Sequence, residues 1–361
     1  MNPVRLVARR EFTERVRERS FMVSTGITLA IVVLVVVLPS VLGLGGPTDY
    51  TVNPSSPRDL AVAEAATQLD ESFNAHVTIG DSNPDVDLND GVIVSDKPAD
   101  DDLVSLLQVA NQQVDARAAP PLRVESTEPE DPDEDAKAAM AFFAILILYG
   151  QLLTYGYWVA TGVVEEKASR VIEVLLATIR PVHLLAGKVI GLGLLGLGQL
   201  LAISVFGVGV AAATGALEVD GALIGAVALS LFWFVLGYAF YAAAYAAAGA
   251  MVPRQEEIQS STTPLTMMIL VSLFAGFAVN QNPDGTLGHI TAFIPPMAPI
   301  TMPSRIILGE APAWEIAASI AVMLLATALL VPLAARIYSA VVLRTGSAVK
   351  LREALRLARQ A

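Results

Sequence analysis

A chain of 361 residues with 54% hydrophobic residues and a mean hydropathy of +0.58 is too apolar for a water-soluble protein of that size. Its net charge of −12 is concentrated in one segment, and the lack of cysteine removes disulfides, thiolate nucleophiles and thiolate metal sites. Three scattered histidines (His76, His183, His289) offer no metal-ligand spacing, and no basic patch interleaved with aromatics points to nucleic acid.

Residues 1–20 carry six arginines and three glutamates, with Val4, Ala8, Phe12 and Val16 on one helical face. This pattern predicts an amphipathic helix on the inner membrane surface, or a plain basic flank. Residues 21–44 form a first span, longer than the apolar core of a signal peptide and without a clean cleavage site after it. The arginines before it keep the N-terminus inside.

Residues 45–137 form a polar insert that holds 21 of the 35 acids against five bases, which places it on the trans side of the membrane. Strands are expected at 50–52, 77–79, 92–94 and 122–124, and helices at 58–73 and 101–114, making a small α/β extracytoplasmic domain. The stretch from Asp85 to Gly91 imitates a calcium loop, but Asp90 stands where the sharp turn needs glycine and no glutamate closes it. A hairpin turn before Val92 is the simpler reading. The acidic run 128–135 reads as a solvated linker.

The second span, 138–164, carries Gln151, Thr154, Trp158 and Thr161 at helical spacing. Such a stripe faces protein or water rather than lipid, so it either packs helices or lines a substrate path. Next comes EEKASRVIEVLLATIRPVHLLAGK, from Glu165 to Lys188. As a helix, Val171, Ile172, Leu175 and Ile179 share one face while Glu166, Lys167, Arg170 and Glu173 turn to water. Pro181 suits the first turn of the following helix. The segment reads either as an intracellular loop helix on headgroups or as a docking helix for another subunit.

The acidic pair Glu165 and Glu166, Lys167, Arg170, the Glu173-x-Leu175-Leu176 core and the final Gly187-Lys188 resemble the ATP-binding cassette (ABC) export permeases of the second type, in particular their NatB-like sodium-efflux branch. Ala168 stands where that family often has another charge. The resemblance implies a coupling helix over 165–180, seated in a groove of a separate cytoplasmic ABC ATPase subunit. It also implies that ATP and Mg are bound by that partner and not by this chain, and that two permeases pair as a homodimer or heterodimer. Residues 1–20 would be the interfacial elbow helix of such permeases.

A third span over 184–214 contains Gly191-Leu-Gly193-Leu-Leu-Gly196; with no strand before it, this is a site of close helix crossing and not a dinucleotide loop. An outer turn at 215–221 leads to a fourth span, 222–250, where Tyr238, Tyr241 and Tyr245 either pack or line a polar path. Residues 251–263 are expected to be a loop, 264–279 a fifth span and 280–285 an outer turn. Over 287–308, Pro295, Pro296, Pro299 and Pro303 exclude a straight crossing helix. Broken backbone at membrane depth survives only against protein or a wet cavity, so a re-entrant hairpin is expected. The block from Phe293 to Glu310, with Arg305 after the last proline, resembles the same permeases a second time, which makes it their candidate outer gate.

A sixth span over 314–342 and a basic tail, 343–361, complete a membrane all-α bundle with both termini cytoplasmic in the cell membrane. No phosphate-binding loop, catalytic triad or mid-span carboxylate is present. The expected function is therefore a permease that draws on a partner's ATP hydrolysis, exporting sodium or an amphipathic drug-like molecule. The alternatives are a membrane-anchored sensor or assembly factor working through its extracytoplasmic domain, and an ion-gradient antiporter.

Overall fold

The computed structural model describes residues 3–42, 48–69, 75–80, 84–89, 92–95, 101–114, 123–126, 134–168, 179–214, 221–342 and 348–359. The turn expected at 215–221 and the acidic linker fall almost wholly outside them. Contacts divide the chain into two units, Met1–Val33 with Asp133–Ala361, and Leu34–Pro132.

The larger unit is helical. Helix α1 (Pro3–Val16) starts on a proline, whose missing N–H costs nothing in a first turn, and α2 (Arg19–Leu42) runs for 24 residues. Five helices among the described residues are long and apolar enough to cross a membrane: α5 (Glu134–Ala168), α6 (Pro181–Thr214), α7 (Gly221–Ala250), α8 (Ile258–Gln281) and α11 (Ala313–Val341). Helix α5 packs on α7 and α8, α11 packs on α7, and α1 lies along α6. The core between them is built from Ile145, Leu152, Val159, Leu192, Phe234 and Ile269.

The crossings among these helices are close because glycines sit at them. A Cβ on Gly191 would lie 2.6 Å from the Ala8 carbonyl oxygen, and one on Gly193 would lie 2.6 Å from the Tyr238 ring. The glycine repeat of α6 thus turns successive members to α1 and α7, the close approach that small residues permit inside a bilayer.

Helix α8 begins at Ile258, earlier than the expected 264, and carries Pro264 inside it. The helix tolerates this because Pro264 and Ser260, whose carbonyl loses its donor, are both exposed. Two short helices follow, α9 (Thr286–Ala292) and α10 (Ala298–Ile307), then α11 and a short tail helix α12 (Leu351–Ala358).

The smaller unit is a five-stranded sheet, β1 (Thr48–Pro54), β2 (Ala75–Ile79), β3 (Val86–Asn89), β4 (Val92–Ser95) and β5 (Arg123–Ser126), in the order β2-β1-β3-β4-β5. Helices α3 (Pro57–Leu69) and α4 (Asp101–Val114) cover one face through Val52, Val62, Leu88, Ile93, Leu103 and Leu107. Strand β3 corrects the sequence reading, which saw only turn chemistry there. Its acids obscure a strand alternation in which Val86 and Leu88 point to the core and Asp87 and Asn89 away from it. It pairs antiparallel with β4, Asn89 opposite Val92.

Candidate functional site

Three places hold the residues that the sequence singles out. The first is the end of the bundle where α5 passes toward α6. Helix α5 does not stop at Val164; it continues to Ala168, so Glu165, Glu166 and Lys167 belong to its last turn. Arg170, Glu173, Leu175 and Leu176 lie outside the described residues. Of the four charges expected to face water, the two that are described face inward: Glu166 and Lys167 are buried. The reason is tertiary, because α1 and α6 cover Glu166 while α7 and α11 cover Lys167.

Glu166 joins a charged quartet of which three members are buried. Lys188 Nζ lies 3.0 Å from Glu11 Oε1 and 3.3 Å from Glu166 Oε1, and Arg10 Nη2 lies 2.7 Å from each of the same two oxygens. Glu11, Glu166 and Lys188 are buried and the half-exposed Arg10 caps them from the rim, so two acids and two bases from α1, α5 and α6 balance each other, which is the condition for charges to be buried at all. Burial pushes the Glu11 carboxyl up, but Lys188 and Arg10 outweigh it and hold the group below its ordinary value of 4.5. Gly187 lets α1 come this near: a Cβ there would lie 2.5 Å from Val7 Cβ.

Lys167 acts differently. Its Nζ donates to the carbonyls of Ala250, at 2.7 Å, and Val341, at 3.3 Å, the last residues of α7 and α11. An ammonium placed there satisfies carbonyls that have no partner within their own helix and meets the negative ends of both helix dipoles. Glu165 stays on the rim, with Arg15 Nη2 at 3.5 Å and Gln255 Nε2 at 3.3 Å.

The second place is mid-bundle, and here the expected polar stripe splits. Gln151 is buried, its Nε2 donating to Gln199 Oε1 at 3.2 Å. Tyr155 Oη donates to the same oxygen at 2.7 Å, and Gln199 Nε2 donates to Thr25 Oγ1 at 2.7 Å, so one glutamine ties α2, α5 and α6 together. Gln199 escaped sequence reasoning; its signal was a lone amide inside an otherwise apolar run. Trp158 is half-buried between Phe21 and Tyr155, with the Arg15 guanidinium 5.5 Å from its ring centre. Thr154 points the other way, outward beside Tyr157, which is 39% exposed.

The tyrosines of α7 do not converge on a shared path. Each is buried and reaches a different neighbour: Tyr238 donates to the Val189 carbonyl of α6 at 2.8 Å and Tyr241 to the Pro296 carbonyl at 2.7 Å, while Tyr245 lies 3.1 Å from Thr266 Oγ1 of α8. Spacings of three and four residues around one helix aim them at three partners.

The third place is the α9–α10 hairpin. Pro295 and Pro296 occupy the turn between the helices, Pro299 lies in the first turn of α10, and Pro303 is inside α10. Packing holds this backbone. The Pro296 carbonyl accepts from Tyr241 and also from Ser272 Oγ, at 3.1 Å, and Pro299 nests on Gly237, where a Cβ would lie 2.5 Å from Pro299 Cβ. Replacing Tyr241 by Phe and Ser272 by Ala together is expected to strand that carbonyl and cost ~1–3 kcal/mol, read as a lower unfolding midpoint in detergent. Tyr241→Phe alone should cost less, since Ser272 remains; equal losses in the single and double variants would count against the shared acceptor.

Arg305 closes the hairpin. It is fully buried and paired with the equally buried Glu315 in the first turn of α11. Its Nε donates to the Pro283 carbonyl at 2.7 Å and its Nη2 to the Glu310 carbonyl at 2.8 Å. Glu315 Oε2 also lies 3.2 Å from His289 Nδ1. After α10 the chain reverses at Gly309, at φ 79°, with Gly309 N–H bonded to Ile306 O and Glu310 N–H to Arg305 O. This glycine stop leaves the Arg305 side chain at the junction of both loops. Arg305 is thus a fixed strut of the hairpin, and Glu315 and His289 are partners the sequence did not reveal.

Comparison with known proteins places this geometry. A family model described as "ABC-2 family transporter protein" matches residues 63–336. The uncharacterized protein YhaP of Bacillus subtilis is 31% identical over 236 residues, covering 61% of this chain and 56% of that protein. The uncharacterized protein MJ1024 of Methanocaldococcus jannaschii is 24% identical over 180 residues, covering 50% of this chain and 44% of that protein. The chain thus spans about half the length of these relatives. No solved structure matches it. The matched region holds the α5–α6 corner, the glycine crossings of α6 and the proline hairpin together, and the chain belongs to the ABC-2 family of transporter proteins.

Proposed function

We propose that this chain is the permease subunit of an ABC exporter, driven by ATP hydrolysis in a separate ATPase subunit that docks at residues 165–180. The family match over residues 63–336 carries this reading, and the outward face of α5 supports the pairing of two permeases. Leu146, Thr154 and Tyr157 are exposed there, so polar groups stand on the surface of a spanning helix. Hydroxyls on that face suit contact with a second permease or a wet path. Pairing two chains through this face encloses a route across the membrane, with Thr154 on it and the α9–α10 hairpin at its outer mouth.

Six crossings, with α2 as the first, put both termini and the α5–α6 corner on the cytoplasmic side and the acid-rich domain outside. The described charges of α5 act as fasteners in this scheme: Glu166 and Lys167 tie the end of α5 to α1, α6, α7 and α11. The substrate class is sodium or an amphipathic drug-like molecule. The buried carboxylates Glu11, Glu166 and Glu315 are already matched by Arg10, Lys188 and Arg305, which favours an amphipathic cargo over a bare cation.

The test is purification of the complex with its ATPase partner, followed by flux in vesicles. ATP-driven export of a drug-like dye, faster than that of ²²Na⁺ and slowed at least about tenfold by Thr154→Trp, supports the route. Flux that ignores ATP and collapses with the proton gradient makes the chain an antiporter instead.

A further inference from the structure

We propose that the tail helix α12 is a binding site for anionic phospholipid headgroups, a clamp that holds the ends of α7 and α11 at the membrane surface. It rests only on the chain's spanning helices and needs no transported substrate.

The apolar side of α12 is already occupied. Ala354 and Ala358 are buried with Val349 against Ile337, Ala340 and Val341 of α11, Ala247 of α7 and Met251 just after it. The Val349 N–H donates to the Met251 carbonyl at 2.8 Å, which pins the chain entering α12 to the end of α7. These partners are the last residues of two spanning helices, next to the carbonyls that Lys167 holds. Helix α12 therefore lies where the spans leave the hydrocarbon, at headgroup depth.

What α12 leaves uncovered is basic. Arg352, Arg356 and Arg359 recur at i, i+4 and i+7 and form one exposed row, opposite the buried Ala354 and Ala358. Lys350 is exposed just before them, and Glu353 is the one acid over 350–359, so four bases against one acid leave a local charge of +3 in a chain of net charge −12. Leu351 is 56% exposed in the first turn of α12, on the side that carries Ala354 and Ala358 and flanking the arginines. An apolar side chain beside a row of guanidiniums suits the boundary between acyl chains and anionic phosphates. Guanidiniums bind phosphate oxygens in pairs, and their long apolar stems can lie along the lipid. The row stands on a helix packed against the ends of two spanning helices, where lipid phosphates are the adjacent anionic surface, so lipid is the better occupant.

The experiment uses the full chain in a zwitterionic detergent, titrated with phosphatidylglycerol, phosphatidylcholine or inorganic phosphate. Native mass spectrometry counts retained lipid, and the thermal midpoint is followed in parallel. Phosphatidylglycerol alone should be retained and raise the midpoint, with retention weakening as salt rises. The triple variant Arg352→Gln, Arg356→Gln, Arg359→Gln should bind it at least about tenfold more weakly, while the triple Arg→Lys variant, which keeps the charge and loses the paired bonds, falls between it and the parent. An unchanged affinity in the glutamine variant overturns the proposal. So does an equal response to phosphatidylcholine, or a midpoint shift reproduced by inorganic phosphate, which would mark a free-anion site. Loss of a co-purified ATPase with lipid retention unchanged would assign the row to a protein partner. None of these readings depends on flux, so failure here and failure of the exporter reading are separable.

Discussion

Arg305→Met is expected to destabilise the protein by about 3–5 kcal/mol, the largest loss of any single substitution in the hairpin. The change leaves Glu315 fully buried with only the half-exposed His289 beside it, and frees the carbonyls of Pro283 and Glu310. A carboxylate left unpaired in that position lacks the cation that offsets its burial, and this loosens the start of α11. Arg305→Lys should recover only part of the loss, because an ammonium cannot reach Glu315 and two carbonyls with one planar fork. The double variant Arg305→Met, Glu315→Leu removes both charges, and its unfolding midpoint should lie well above that of Arg305→Met. If the double variant is no better than the single, the pair is not what holds the hairpin and the carbonyl contacts must be.

Lys188→Met should be nearly as costly, about 3–5 kcal/mol, and its damage should appear at α1. Glu11 and Glu166 would then share Arg10 alone, at 2.7 Å from each, with no second cation to balance them. Two carboxylates around one guanidinium repel, and the easiest relief is for α1 to lift off α6. A cysteine-free chain makes this directly readable: a Val7→Cys probe sits beneath α1, where Val7 is buried against Gly187. Maleimide should label it slowly in the parent and much faster in the Lys188→Met background. Labelling that stays slow while the thermal midpoint falls would show that the quartet stabilises the bundle without anchoring α1.

Both predictions concern charges paired between different helices, from 10 residues apart for Arg305 and Glu315 to 177 for Lys188 and Glu11, and this separates what was legible from what was not. The apolar runs, the acidic insert and the proline cluster were readable because length, charge asymmetry and missing backbone donors are properties of the chain itself. So was Pro181 as the start of a helix, since a first turn needs no donor there. Strand β3 was not readable, because alternating acids look like turn chemistry until a sheet places Val86 and Leu88 in a core.

The sequence by itself determined the class of this protein: a membrane-spanning helical chain with a polar insert and a broken segment before the last long helix. Only the tertiary structure decided which charges are fasteners. An amphipathic period shows that a helix has a polar face, but not whether that face meets water or a neighbouring helix of opposite charge. Glu166 and Lys167 looked solvated because α1, α6, α7 and α11, which cover them, are distant in sequence. In the same way Tyr238, Tyr241 and Tyr245 looked like one stripe until three neighbours drew their hydroxyls apart. Burial, and with it the price of an unpaired charge, is a property of the assembled bundle.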